Sequence, residues 1–565
     1  MLYGLWGMTN AAIYFHPDGY DTAGPRLMGR HAAGESFLRG FLRHAEAERF
    51  YFFNTSGLAT APLDALIQRI EPTAKPWTWT GRRERQKLID PGCLYIPGPT
   101  LAAEAWTRRP FDARRYSLCG VTHTTATHRV MDLISDLVVA PVEPWDALIC
   151  TSSAVRASIE TQLDATRTDL RERLGATRLP QPQLATIPLG VNADDFAIDP
   201  AQRAAWRARL DIPVDAIVAL YVGRFSPGAK MNPATMALTL EAAAQATGQP
   251  IYWVMAGWAA TPELIEQFHA WTREFCPSVH HRAVDGRPAD TRFSIWSVAD
   301  IFLSLSDNIQ ETFGLTPIEA MAAGLPCVVS DWDGYRDTVR HGIDGFRIPT
   351  YAPRSGLGGD LAFGYANDWF SYDQYLAAAS QMTAVDIPRA AEAVAALVRD
   401  ADLRRRMGES GRRRAQEVFD WRAIVPQYQA LWGELAQRRK AASAQSAPAS
   451  LVTNPRRLDP FRLFESYPTE PMTRQSVVSV AAGVAWDQAR ARLDLHLASI
   501  ARWAIASPEE MELLFDKILE AGEATVSEVM DANFPESRRP FVERSILWLA
   551  KYDLVTIRGT KPIEG

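Results

Sequence analysis

SDNIQETFGLTPIEAMAAGLPCVVSD, residues Ser306–Asp331, is the stretch on which the reading of this chain turns. An apolar run, Ile301–Leu305, leads into it, and a second, Pro326–Ser330, closes it. Runs this short and this continuously apolar read as parallel strands buried on both faces. The small-residue segment between them reads as a helix. Two carboxylates, Glu311 and Glu319, stand one ahead of that helix and one in its second turn. They therefore lie at a strand-to-helix corner, spaced to hold two parts of a single polyol ligand. Gly314, Leu315 and Thr316 would offer free backbone N–H groups at the helix N-terminus, where an anion is favoured.

The same rhythm extends in both directions. Before Asn192 the expected strands are Ala11–His16, Phe50–Asn54, Cys93–Pro97, Leu118–Thr122, Ala147–Thr151 and Leu184–Leu189, with helical patterns at Glu35–His44, His128–Val138 and Ser153–Leu163. From Ala216 the pattern restarts, with strands at Val218–Val222, Ile251–Ala256, His280–Val284, Ile301–Leu305, Cys327–Ser330 and Phe346–Ile348. Strands alternating with helices predict doubly wound parallel sheets. The fold class is therefore α/β: two Rossmann-like domains facing across a cleft, followed by a mainly helical C-terminal domain. The expected boundaries are 1–195, 196–418, a crossover helix over 419–436, a linker rich in Ala, Ser, Arg and Lys over 437–456, and an accessory module over 457–565. Thr350–Phe370, rich in Gly, Pro and aromatics, reads as an inserted loop.

Bulk properties narrow the function classes. A chain of 565 residues exceeds one core, and length alone suggests about three or four domains. A formal net charge of −6 gives no support for general nucleic-acid binding. Cys93, Cys119, Cys150, Cys276 and Cys327 are scattered singly, without CxxC or zinc spacing, and are expected to be small buried thiols in a reducing, cytoplasmic setting. No run reaches about 18 apolar residues, and the N-terminus lacks a basic region with a long apolar core, so neither a membrane span nor a signal peptide is expected. In the tail, Ser507-Pro508-Glu509-Glu510 opens a helix with a capping box and proline at the first position. Helices at Met511–Glu520, Val526–Ala532 and Phe541–Tyr552 and a strand at Leu554–Ile557 are similar to a winged-helix module. Arg457–Gly565 holds 13 Lys and Arg against 17 Asp and Glu, a net −4, whereas a DNA reader is normally basic. A protein–protein or self-association module is the expectation.

Glu-x7-Glu with Phe313-Gly314-Leu315, the Ala-rich helix and the following strand resembles the donor-sugar motif of retaining GT-B glycosyltransferases of family 4, over about residues 10–435. Phe419-Asp420-Trp421 with Tyr428 and Leu431-Trp432 resembles that family's closing helix, which crosses back to the first domain. Leu220-Tyr221-Val222-Gly223-Arg224, with Lys230 six residues on, matches the spacing at which the family holds a donor diphosphate. A planar fork and a point charge suit two adjacent phosphates, and stabilising the departing diphosphate lowers the barrier directly.

The resemblance further implies that Glu319 accepts from the donor ribose hydroxyls, that Glu311 lies by the transferred sugar, and that Phe313, Gly314, Leu315 and Thr316 line the pocket. The base pocket would follow His280–Val284. Gly24, in the loop after the first strand, would pass near the donor phosphates, although the usual glycine pair is missing and an ordinary turn reads equally well. His123, after a first-domain strand, matches a histidine that contacts the donor sugar; taken alone, a histidine is more often structural. Where many members carry Gly-Gly this chain has Trp332-Asp333-Gly334-Tyr335, and Asp331 with Asp333 reads as a turn rather than a metal site.

Two basic and aromatic stretches, Trp77-Thr78-Trp79 with Arg82, Arg83, Arg85 and Lys87, then Trp106 with Arg108 and Arg109, read either as a grip on an acceptor phosphate or anionic membrane surface or as solvated helix faces. The implied activity is metal-independent, retaining transfer from a nucleotide diphosphate sugar to an acceptor hydroxyl of a glycan, lipid or small molecule. Catalysis would rest on Glu311, His123, Arg224 and Lys230, with no cofactor, and the localisation would be cytoplasmic or peripheral at the inner membrane face. A retaining phosphorylase of the same fold and a non-catalytic scaffold with a partner-binding tail are the competing readings.

Overall fold

The buried apolar runs become two parallel sheets. The computed structural model describes residues 10–22, 29–230, 232–442 and 454–559. The chain divides into two units, Met1–Asn454 and Pro455–Gly565. The first unit holds both Rossmann-like domains.

The first sheet comprises β1 (Ala12–Phe15), β2 (Phe50–Asn54), β3 (Trp77–Gly81), β4 (Cys93–Ile96), β5 (Ser117–Val121), β6 (Ala147–Cys150) and β7 (Gln183–Thr186), in the order β3-β2-β1-β4-β5-β6-β7. The second comprises β8 (Ile217–Val222), β9 (Ile251–Gly257), β10 (His280–Asp285), β11 (Ile301–Ser304), β12 (Cys327–Ser330) and β13 (Gly345–Ile348), in the order β10-β9-β8-β11-β12-β13. Every pairing in both sheets is parallel, as in the register Phe302↔Cys327 and Ala12↔Leu94. The central strands β4, β6, β11 and β12 are buried at every residue, because helices cover both faces. This is the GT-B architecture.

The strand order reverses between β1 and β4 and again between β8 and β11. Loops leaving the carboxyl ends of such a pair diverge to opposite faces and open a crevice. β3 was not expected as a strand, because the alternation Trp77-Thr78-Trp79-Thr80 is short and runs straight into the basic residues Arg82, Arg83, Arg85 and Lys87.

Helices α1 (Gly29–His44), α2 (Ser153–Leu174), α3 (Leu315–Ala322), α4 (Gly359–Ala366), α5 (Tyr372–Gln381) and α6 (Trp421–Ala441) matter most for the site. The span read as an inserted loop carries α4, preceded by β14 (Thr350–Tyr351), which pairs antiparallel with β15 (Ala384–Val385). The closing helix α6 is longer than expected and ends at Ala441, inside the span read as linker. Its apolar face, including Ile424, Tyr428, Trp432 and Leu435, is buried in the core of the first domain with Phe37, Phe41 and Tyr95.

Trp421 anchors α6. Its indole N–H donates to Ser36 Oγ at 2.8 Å, and its backbone N–H to Val191 O at 3.0 Å. A Cβ on Gly40 would lie 2.2 Å from the Trp421 ring, so only glycine admits the indole there.

The five cysteines are buried and form no disulfide. Among the described residues no helix is long and apolar enough to cross a membrane. In the second unit, β16 (Val477–Val480) lies between β17 (Ala524–Thr525) and β18 (Val555–Arg558) in an antiparallel sheet, packed with helices α7 (Pro508–Ala521), α8 (Val526–Asn533) and α9 (Arg539–Lys551). The Ser507–Glu510 capping box forms in full, and Arg538 grips Glu510 through two bonds of 2.6 Å.

Replacing Trp421 by Ala removes a fully enclosed indole and leaves a cavity between two glycine backbones. Urea denaturation is expected to show a loss of about 3–5 kcal/mol.

Candidate active site at the strand-order switch

The loops after β8 and β11 leave the second sheet at its switch point, and the structure binds one to the other. Asn308 Nδ2 donates to Gly228 O at 2.8 Å, and Arg224 donates to Gln310 Oε1 at 2.9 Å. Lys230 forms an ion pair with Glu311, whose side chain is only 10% exposed. Burial alone would raise the Glu311 carboxyl. The charge and hydrogen bond of Lys230, with the backbone N–H groups of Thr312 and Phe313, outweigh it and hold Glu311 below the ordinary glutamate value.

Gly314 begins α3 with φ +84, and no side chain caps the helix. A Cβ there would stand 2.0 Å from the Tyr335 ring, and one on Gly334 would stand 2.4 Å from Phe313 Cα. The backbone is therefore forced close to its neighbours at this corner, and among the described residues no side chain caps the first N–H groups of α3, at Leu315 and Thr316. Phe313 is buried beneath it. Burial pushes the Glu319 carboxyl up to about 7, against the opposing charges of Arg292 and Lys230. Asp307, bonded by Ser380 Oγ at 2.9 Å, is raised to about 6, again by burial.

The first domain meets this corner from its own carboxyl edge. Ser152, at the start of α2, donates to Thr312 O at 2.8 Å, and the Ser153 N–H and hydroxyl donate to Asp337 at 2.6 and 2.7 Å. Gln310 Nε2 donates to Tyr372 Oη at 3.0 Å, and that hydroxyl lies 3.3 Å from Thr124 Oγ1. A chain of polar contacts thus runs from Arg224 across the cleft. The segment read as a loop contributes to it: Tyr365 of α4 accepts from the His128 N–H at 3.1 Å and stacks on the His128 ring at 3.6 Å. His123 lies two residues past β5 on this edge and is partly buried. Gly24 lies outside the described residues.

Sequence reasoning missed Gln310, Tyr372, Ser152 and Asp333. Three are ordinary polar residues whose roles come from loops brought together over long sequence separations. Asp333 alone carried a signal, as the departure from Gly-Gly. It does sit in a turn, at φ +43, but its carboxyl also faces the first domain, 3.2 Å from Ser152 Oγ. Burial, reinforced by the nearby Glu311 charge, pushes it up to about 8.

Many of the side chains in the basic and aromatic stretches are engaged within the protein. Trp77 and Trp79 both donate to Asp64 Oδ1 at 2.7 Å from β3. Arg82 donates to Thr55 O, Arg85 pairs with Glu104 and Lys87 with Glu84. Arg108 is wholly buried, bonded to both oxygens of Asp146 at 2.6 Å and to Tyr116 O at 2.8 Å. The Arg109 guanidinium lies over the Trp106 ring, 5.4 Å from its centroid. Arg85 and Arg108 are committed to internal partners because a buried charge requires them, whereas Arg82, Arg83 and Lys87 are exposed. Among the described residues, no three His, Cys, Asp or Glu side chains gather as a metal site would require.

Residues 202–355, which include this corner, match the family described as Glycosyl transferases group 1. A D-inositol 3-phosphate glycosyltransferase of Geodermatophilus obscurus is 26% identical over 281 residues, covering 47% of this chain and 50% of that protein. An N-acetyl-alpha-D-glucosaminyl L-malate synthase of Bacillus anthracis is 26% identical over 151 residues, 27% of this chain and 30% of that one. The chain spans about half the length of the first curated relatives it matches. Among solved structures, Anabaena HepE in complex with UDP-glucose superimposes with a TM-score of 0.47 at 13% identity, over 76% of this chain and all of that one.

Gly314→Ala combines a left-handed backbone with a clash against Tyr335, whereas Gly57, at φ +76, has open space around it. Thermal melts are expected to show Gly314→Ala as the more damaging, with strain alone costing about 1–3 kcal/mol at either position.

Proposed function

We propose that this protein is a retaining glycosyltransferase that moves a sugar from a nucleotide diphosphate sugar to an acceptor hydroxyl without a metal ion. The observation that carries this reading is the convergence of Arg224, Lys230, Glu311 and the uncapped N-terminus of α3 on the crevice at the strand-order switch. Two cations and a set of free N–H groups suit a diphosphate whose charge grows as it leaves. The group 1 match over this region and the two glycosyl-transferring relatives support the same class.

In this reading Arg224 and Lys230 hold the diphosphate, so that Lys230 exchanges part of its contact with Glu311 for phosphate oxygen. Glu311 is then freed to meet the sugar hydroxyls and the positive charge that develops at its reacting carbon. Glu319 accepts from the ribose hydroxyls, and Phe313, Gly314, Leu315 and Thr316 form the wall and the N–H donors. His123 contacts the sugar from the first domain. The acceptor hydroxyl attacks from the face the diphosphate leaves, and the leaving phosphate takes its proton, which retains the configuration. The acidic second unit serves as a partner-binding or self-association module. A ribose-binding carboxylate has no use in a phosphorylase, which favours the transferase.

The direct test is a thermal-shift screen against UDP, GDP, ADP, TDP and their common sugar conjugates in EDTA. A ligand of the folded state raises the melting temperature as its concentration passes its dissociation constant. One nucleotide is expected to give a clear shift that Glu319→Ala abolishes. A shift with inorganic phosphate or sugar phosphate alone would overturn the donor assignment. Once a donor is known, Arg224→Ala and Glu311→Gln are each expected to lower its turnover by at least about a hundredfold, the range seen when one stabilising group is removed, with circular dichroism unchanged.

A further inference from the structure

The Ser152 hydroxyl has more partners than its single proton can serve. Its oxygen accepts the Val155 N–H at 3.1 Å as the cap of α2. Its proton points to Thr312 O at 2.8 Å, and the Asp333 carboxyl oxygen lies a further contact away at 3.2 Å. With the proton given to the nearer carbonyl, the bond to Asp333 forms only if Asp333 supplies a proton of its own. The surroundings agree. Among the described residues no cation stands within ion-pair distance of Asp333, and Lys230, the nearby ammonium, is taken by Glu311. The charged neighbours that act on Asp333 are Glu311, from the loop before α3, and Asp337, four residues along its own segment and held by Ser153. From the first domain the facing element is the start of α2, which has no charged side chain before Arg156. The Gly334 N–H also donates to the Asp333 carboxyl. Without a cation beside it, however, an ionised Asp333 would be a third carboxylate next to two others, at a cost that burial makes large and that outweighs such bonds.

We infer that Asp333 is a positioning residue which, as a neutral carboxylic acid, donates to Ser152 Oγ and so latches the first domain over the Glu311 corner. The latch deepens the glycosyltransferase reading, since it governs how the crevice closes, but it acts without any nucleotide. Its sign follows from proton linkage. The closed form binds one more proton than an open form whose Asp333 is solvated with a value of about 4. Closure therefore weakens as pH rises from about 4 to about 8, the value burial gives Asp333 here, and is level above that. The other carboxylic acids that burial raises, Asp307, Glu319 and Glu143, are each acted on only by groups of their own domain.

The test is the distance between the two domains as a function of pH, read by pulsed spin-label spectroscopy on the full chain. Labels at Glu172→Cys on α2 and Arg413→Cys beyond α5 are selective because the five native cysteines are buried. An Asp337→Ala background removes both adjoining bonds from Ser153, the one from its backbone N–H included, and leaves the Asp333 contact to dominate. The closed-to-open ratio is expected to fall by up to about tenfold per pH unit within that window. Asp333→Asn, whose amide donates in the same place and tolerates the turn, is expected to hold the ratio constant with pH, and Ser152→Ala to loosen closure at low pH. The same pH profile in Asp333→Asn as in its parent, or a ratio independent of pH in the parent, would overturn the inference. Neither result bears on nucleotide binding, so the latch and the transferase reading fail separately.

Discussion

The ion pair between Lys230 and Glu311 is the constraint on which the site depends. It joins a loop from β8 to a loop from β11, two strands that become neighbours only because the sheet reverses its order there. A carboxylate so nearly enclosed needs a cation, and a cation at the mouth of a crevice needs an anion. The pair therefore keeps the Glu311 carboxylate charged and holds both side chains in place. The Gly314 turn and the close approach of Gly334 to Phe313 fix the corner around that pair.

The first domain is held to this corner by uncharged groups. Ser152, Ser153 and Thr124 each reach a polar atom of the second domain or its inserted helices, while α6 returns from the second domain to complete the core of the first. The apolar packing at Trp421 fixes one end of the arrangement. Most of these contacts are polar, with the Tyr365–His128 stack and a small apolar cluster of Ala126 with Ala229 and Leu376 beside them, as befits a surface that must also admit a ligand.

Much of the fold was legible because it rests on periodicity. Twelve expected strands are present, eleven to within a residue at either end and β7 ending three residues early, and the central ones stand out because full burial on both sheet faces demands continuous hydrophobicity. The exception, β3, is an edge strand whose aromatic residues are held by Asp64 through their N–H groups, a pattern that composition disguises as a basic patch. The corner of Glu311, Gly314 and Glu319 was legible because its residues are close in sequence. Tyr372 and Ser152 were not, since nothing local marks a tyrosine in an insert or a serine at a helix cap as belonging to a site. Arg108 misled for the opposite reason: its partner Asp146 is 38 residues away, and only the folded chain shows the charge to be internal.

The central claim is that Arg224 and Lys230 receive a diphosphate at the strand-order switch. Phosphorus NMR of a nucleoside diphosphate titrated with the protein in EDTA tests it most directly. For the nucleotide that binds, the β-phosphorus resonance is expected to shift and broaden with the native chain, and to stay at its free position with folded Arg224→Ala and Lys230→Ala variants. A β-phosphorus signal that moves equally in all three proteins would contradict the account.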